Sequence, residues 1–220
     1  MHLSLCICAL VPRIATRTRL VLIMHRAEAR KSTNTGRLAA ACLENSIIVQ
    51  RGNEDDRDGE LGLDPTHTAL LLYPAEDATP LDVLAPALKA AARPVTLIVP
   101  DGNWRQAGKV RKRVPGLAGL PCVTLQQTAP SRYFLRAEAH THALSTIEAV
   151  ARAFGILEGP EVEAALLVPF RAMVERTLWA RGRFDAARVT GGIPEGAQRH
   201  DPESGLAASA QARSGITWPS

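Results

Sequence analysis

Three short apolar runs constrain this chain most: Arg19–His25 (RLVLIMH), Thr68–Tyr73 (TALLLY) and Pro94–Val99 (PVTLIV). Each is rich in Leu, Ile or Val and ends at a polar or proline-containing segment, the pattern of a buried strand. Weaker runs at Ser46–Val49 (SIIV) and Cys122–Leu125 (CVTL) read as two more strands. Helical patterns fall between them. Gly36–Leu43 and Pro80–Ala92 have Ala-rich apolar faces, with Pro86 marking a kink or break in the second. Asn103–Val114, Ser145–Leu157 and a long Pro160–Leu178 complete the set. Strands alternating with helices predict one α/β domain on a mostly parallel sheet, over residues 1–182. Asn53–Leu61 (NEDDRDGEL) reads as an acidic surface loop. From Arg183 onward the chain is Gly-, Ala-, Ser- and Pro-rich without a sustained apolar period, so 183–220 is expected to be a disordered tail.

The four cysteines, Cys6, Cys8, Cys42 and Cys122, are too scattered for a secreted disulfide framework. No stretch approaches the length of a membrane span. The apolar run Leu3–Val11 has no basic residue before it, and Arg13, Arg17 and Arg19 follow it, which is the wrong order for a signal peptide. A cytoplasmic location is expected. The formal net charge of +4 permits a polyanionic partner without demanding one.

Four segments can carry chemistry. The first is Val99–Arg105 (VPDGNWR), where a strand ends in an acid, a glycine and an indole. Ligands collect beyond the carboxyl ends of parallel strands, so Asp101 is placed as a general base and Trp104 as a stacking surface. The plainer alternative makes Asp101 or Asn103 a helix cap and Trp104 core. The second is the loop His25–Arg37 (HRAEARKSTNTGR), which offers polar groups to a phosphate or carboxylate, or simply caps the next helix. The third is Ser145–Ala149 (STIEA), where Ser145 and Glu148 match a capping box; a capped helix start also presents N–H donors to an anion. The fourth is the basic run Arg105, Lys109, Arg111, Lys112 and Arg113 beside Trp104, an RNA-binding face or a solvated one. Cys6-x-Cys8 supplies two sulfurs where structural zinc wants four ligands.

Taken in order, CICALVP, LVLIMHRAE, KSTNTGRLA, LLYP, PDGNW, SRYFLR and STIEA resemble the DTW-domain family, the tRNA-uridine aminocarboxypropyltransferases, over about residues 6–180. The family motif Asp-x-Thr-Trp stands here as Asp101-Gly102-Asn103-Trp104, with Asn in place of Thr. The resemblance implies a SPOUT-like fold with a C-terminal trefoil knot. It also implies S-adenosylmethionine as donor and N3 of a tRNA uridine as acceptor. By the same resemblance the donor would lie among Leu71, Tyr73, Pro74, Pro100, Asp101, Gly102, Asn103, Trp104, Ser145, Thr146, Glu148 and Ala149. Asp101 would be the catalytic base, and Arg37, Arg105, Lys109, Arg111, Lys112 and Arg113 would bind RNA. Family members carry a further Cys-x-x-Cys pair upstream, so zinc on Cys6 and Cys8 is expected only in a longer form. The competing readings are a SPOUT-like RNA methyltransferase using the same donor and a non-catalytic RNA-binding module. Neither the oligomeric state nor the tRNA position follows from the pattern.

Overall fold

The computed structural model describes residues 3–31, 33–51, 61–102, 104–126, 131–133, 135 and 144–199. Strand β1 is Arg19–His25, with its five inner side chains all buried, as an unbroken apolar run requires when a sheet is covered on both faces. The others are β2 (Ser46–Arg51), β3 (Thr68–Leu72), β4 (Thr79–Pro80), β5 (Val95–Asp101) and β6 (Cys122–Thr124). They form one six-stranded sheet of order β2-β1-β5-β3-β6-β4, with every pairing parallel. The expected α/β architecture on a mostly parallel sheet is therefore present. β5 runs two residues past Val99, because Pro100 and Asp101 still pair with Ile23 and Met24 of β1. The two-residue β4 is below the length at which any alternation could be read.

The helices are α1 (Arg26–Ala29), α2 (Thr35–Cys42), α3 (Leu81–Ala91), α4 (Trp104–Arg113), α5 (Thr146–Leu157) and α6 (Pro160–Ala180). Pro86 does not break α3. It lies on the exposed side, where the carbonyl it fails to serve can turn to water. Alternate residues of each central strand feed two cores. Leu20, Leu22, Met24, Leu97 and Val99 pack with residues of α2, α5 and α6. Val21, Ile23, Leu71 and Ile98 pack on the other face with Val114 and Leu117, just past α4. Glu158, just past α5, accepts from the Thr18 amide at 2.7 Å and the Arg17 amide at 3.3 Å, which ties α5 to the start of β1.

Residues 183–199 correct the expectation of a tail beginning at Arg183. Phe184 and Val189 are buried in the main core, and Ala186–Arg188 form a 3-10 turn. The buried Arg176 of α6 holds this segment by donating to the carbonyls of Gly191 at 3.1 Å and Gly192 at 2.9 Å, and it also donates to Cys6 near the N-terminus. Glu175 accepts from the Thr190 amide at 2.6 Å. Two charged side chains gripping backbone, rather than an apolar period, order the segment. Residues 200–220 and the acidic loop at 52–60 lie outside the described residues. So does most of the connection between β6 and α5, through which the implied knot would have to be traced.

Candidate functional site

After β1 the chain turns toward β2 on one side, and after β5 it crosses to β6 on the other. The carboxyl ends of these adjacent strands form the switch point where parallel α/β sheets bind ligands. Asp101 ends β5 at that point, 6% exposed, and faces the α2–α5 layer because it shares the parity of Leu97 and Val99.

Its carboxylate is held from two directions. Asn34 Nδ2 donates to Oδ2 at 2.7 Å, and Thr146 Oγ1 donates to Oδ1 at 2.6 Å. Asn34 is also the N-cap of α2, accepting from the Arg37 amide through Oδ1 at 2.6 Å, so one amide group starts a helix and orients the acid. Thr146 is the first residue of α5. Gly36 lets α2 approach closely: a Cβ there would lie 2.8 Å from both Cγ and Oδ2 of Asp101. Two helix N-termini thus begin at one buried carboxylate, a placement their dipoles favour.

The ring of contacts closes through Ser131–Tyr133. Glu148 accepts from Ser145 N at 2.8 Å and Ser145 Oγ at 2.6 Å, completing the expected capping box. It also accepts from Ser131 Oγ and the Arg132 amide, both at 2.7 Å. Tyr133 then donates its hydroxyl to the Thr33 carbonyl at 2.7 Å, back beside Asn34. Burial and the nearby Arg171 both lower the pKa of Arg132, with Glu148 opposing them. Segments far apart in the chain thus meet around Asp101.

The other expected donor-site residues are spread more widely. Pro100 and Gly102 flank Asp101 and are half-buried. Leu71 has its side chain in the core on the α4 side, the opposite face of the sheet from Asp101. Tyr73 is half-buried beyond the end of β3, with its amide donating to Val123 at 3.0 Å and its hydroxyl against Gly108 of α4. Pro74 is exposed and Ala149 half-buried in the first turn of α5. Asn103 and the side chains of Trp104 and Arg105 lie outside the described residues. Among the expected RNA contacts, Arg37, Lys109, Lys112 and Arg113 are exposed. Arg111 is engaged by Asp77 through two bonds of 2.9 and 2.7 Å, which lower the Asp77 pKa and raise that of Arg111. Asn34 and Gly36 lie in the polar loop His25–Arg37 that the sequence offered as a candidate site, but neither they nor Tyr133 were read as partners of the Asp101 site. The signal available for Asn34 was the surplus of hydrogen-bonding side chains before α2.

Cys6 and Cys8 are exposed, with Sγ atoms 2.9 Å apart. The contact between the two thiols lowers the Cys6 pKa and raises that of Cys8. Among the described residues no group of three or more His, Cys, Asp or Glu side chains could hold a metal ion. Two sulfurs do not fit a structural zinc, which takes four ligands.

A three-layer α/β domain with a polar ring at its switch point defines the class: an α/β fold whose candidate site lies at the carboxyl edge of a parallel sheet. The model of the DTW domain matches residues 1–178, and the chain belongs to that family. It is 30% identical over 174 residues to tRNA-uridine aminocarboxypropyltransferase 2 of Drosophila melanogaster, covering 76% of this chain and 67% of the fly protein. It is 32% identical over 178 residues to the Mus musculus protein of the same name, covering 77% of this chain. The chain spans only 59% of the length of that mouse relative. A solved structure, the SAM-dependent rRNA:acp-transferase Tsr3 from Vulcanisaeta distributa, aligns with 89% of this chain and 94% of its own at 21% identity and a TM-score of 0.43.

Proposed function

We propose that this chain transfers the 3-amino-3-carboxypropyl group of S-adenosylmethionine to N3 of a uridine in tRNA. The carrying observation is the ring around Asp101, in a member of a family whose named relatives are tRNA-uridine aminocarboxypropyltransferases. S-adenosylmethionine supplies an alkyl group on a sulfonium leaving group. The N3–C bond forms as the C–S bond breaks, the electron pair goes to sulfur, and methylthioadenosine leaves.

The chain's own task is orientation and proton removal. Which carbon faces the nucleophile decides between alkyl and methyl transfer, so a rigid site is the main source of selectivity. Asp101 is the base for the N3 proton. Each carboxylate oxygen has two acceptor positions, so the bonds from Asn34 and Thr146 fix the group while leaving capacity for a proton. This follows the general logic of a base held by a third group. The target uridine pairs through N3 and must be swung out of its stack to reach Asp101. The reaction belongs in a reducing cytoplasm, where free thiols persist. No helix among the described residues is long and apolar enough to cross a membrane.

The test is nucleoside mass spectrometry on tRNA incubated with the protein and S-adenosylmethionine. The expected product is 3-(3-amino-3-carboxypropyl)uridine with methylthioadenosine. A methylated nucleoside with adenosylhomocysteine would replace this reading with methyl transfer. Asp101→Asn preserves the shape and can still bond Asn34 and Thr146; full turnover in that variant would remove the base assignment.

A further inference from the structure

The basic residues Lys109–Arg113 of α4 are carried away from Asp101 by the fold itself. β5 and β6 run parallel in one sheet, so the helix joining them starts at the carboxyl edge and ends at the opposite one. At about 1.5 Å of rise per residue, Arg113 lies about 14 Å further along α4 than Trp104. α4 also belongs to the layer on the opposite face of the sheet from α2 and α5.

The segment after β1 is placed the other way. Arg26 follows His25 directly, and Met24 of the same strand is the sheet partner of Asp101. Asn34 reaches Asp101, and the Arg37 amide bonds Asn34. Arg26, Arg30, Lys31 and Arg37 are all exposed on this stretch. Its one acid, Glu28, is buried and pairs with Lys31 at 2.5 Å. Arg37 commits one N–H to the Ala29 carbonyl at 3.0 Å, from a guanidinium with five donors.

Resting on the reading of the chain as a tRNA-modifying enzyme, we propose that the RNA backbone beside the target uridine binds a rim formed by Arg26, Arg30 and Arg37. The Lys109–Arg113 face of α4 is secondary in this arrangement. A flipped nucleotide keeps its own flanking phosphates within about one nucleotide of the site, and the cations they meet there are those beside Asn34 and Gly36.

Fluorescence anisotropy with unfractionated tRNA across a salt series tests this on the full chain. Neutralising Arg26, Arg30 and Arg37 to Gln removes three contacts. At roughly 0.7 per single-strand phosphate, the slope of log affinity against log salt flattens by about 2. The double variant R26Q/R30Q leaves the Arg37–Ala29 bond in place and flattens it by about 1.4. A Lys109→Gln, Lys112→Gln, Arg113→Gln triple gives a smaller change than the rim triple. An unchanged slope in the rim variants, or a larger change in the α4 triple, overturns the proposal. Binding is read without turnover, so absence of modified nucleoside from the wild-type protein marks failure of the enzymatic reading separately.

Discussion

Substituting Gly36 by alanine sets two effects of opposite sign against each other. Gly36 lies in the first turn of α2, and replacing a helical glycine with alanine stabilises a helix by up to about 1 kcal/mol. Here the added methyl would sit 2.8 Å from Asp101 Cγ and Oδ2, and 3.0 Å from Leu22 Cδ2. Leu22 is fully buried, and the carboxylate is tied to Asn34 and Thr146, so neither neighbour can give way cheaply. Overpacking costs about 1–3 kcal/mol, and displacing the carboxylate from one of its hydrogen bonds costs about 1.5–3 kcal/mol more. Subtracting the helix gain leaves a net loss of about 1.5–5 kcal/mol. For a chain of this size that lowers Tm by roughly 3–20 °C. Differential scanning calorimetry of the wild type and Gly36→Ala reads it directly. A Tm equal to or above the wild type would show that α2 and Asp101 are not in contact in this way, and the site geometry would have to be redrawn.

The remaining predictions concern the positioning bond, the thiols and the packing of the ends. Thr146→Val removes the hydroxyl on Asp101 and lowers kcat about tenfold or more with both KM values held within about twofold, while Thr146→Ser recovers activity. Equal rates for the two variants in steady-state assays would show the hydroxyl is idle. Burial pushes the Cys42 thiol from 9.0 up to about 12, so the folded protein keeps that proton where the unfolded chain loses it. The buried thiol's stabilisation is fully present below pH 9 and declines as pH rises toward 12, which urea titrations on either side of pH 9 would detect. At pH 8 a thiol reagent should label Cys6 first and Cys42 only after unfolding, and early labelling of Cys42 by peptide mapping would contradict its burial. Arg176→Met frees the carbonyls of Cys6, Gly191 and Gly192. Hydrogen exchange should then accelerate in residues 3–10 and 186–192 while β1 stays protected, and unchanged exchange at both ends would count against the pin.

The sheet was legible because its central strands are covered on both faces. The inner residues of β1 are apolar without a break and β5 is interrupted only by Thr96 before Pro100, and that near-continuity is visible without knowing any partner. β4 was not, since Thr79–Pro80 owes its place to neighbours. At the site, Asp101 stood out by its position after a buried run. Asn34 did not, because a capping residue and an acid-orienting residue look alike until the Nδ2 contact is seen. The basic run of α4 was legible as a charge cluster, but its direction away from the carboxyl edge of the sheet was not. Adjacency to Trp104 in sequence is not adjacency to the site when a helix leads to the far edge of the sheet. The segment from Arg183 was misread because its order depends on Glu175 and Arg176 bonding to backbone, an interaction with no hydropathy signature.

Arg176 also sets a timetable for biosynthesis. Cys6 and the guanidinium that holds it are 170 residues apart in the chain. Ribosomes add about 5–20 residues per second, so roughly 10–35 s separate the emergence of the two. Leu5 and Ile7, buried in the finished domain, are exposed throughout that interval, and β1 likewise has to await the arrival of β5 on its central side. Residues 3–10 are thus made well before the partners that place them, and the yield of native protein in a cell should depend on what shields Leu3–Leu10 from other nascent chains during the wait.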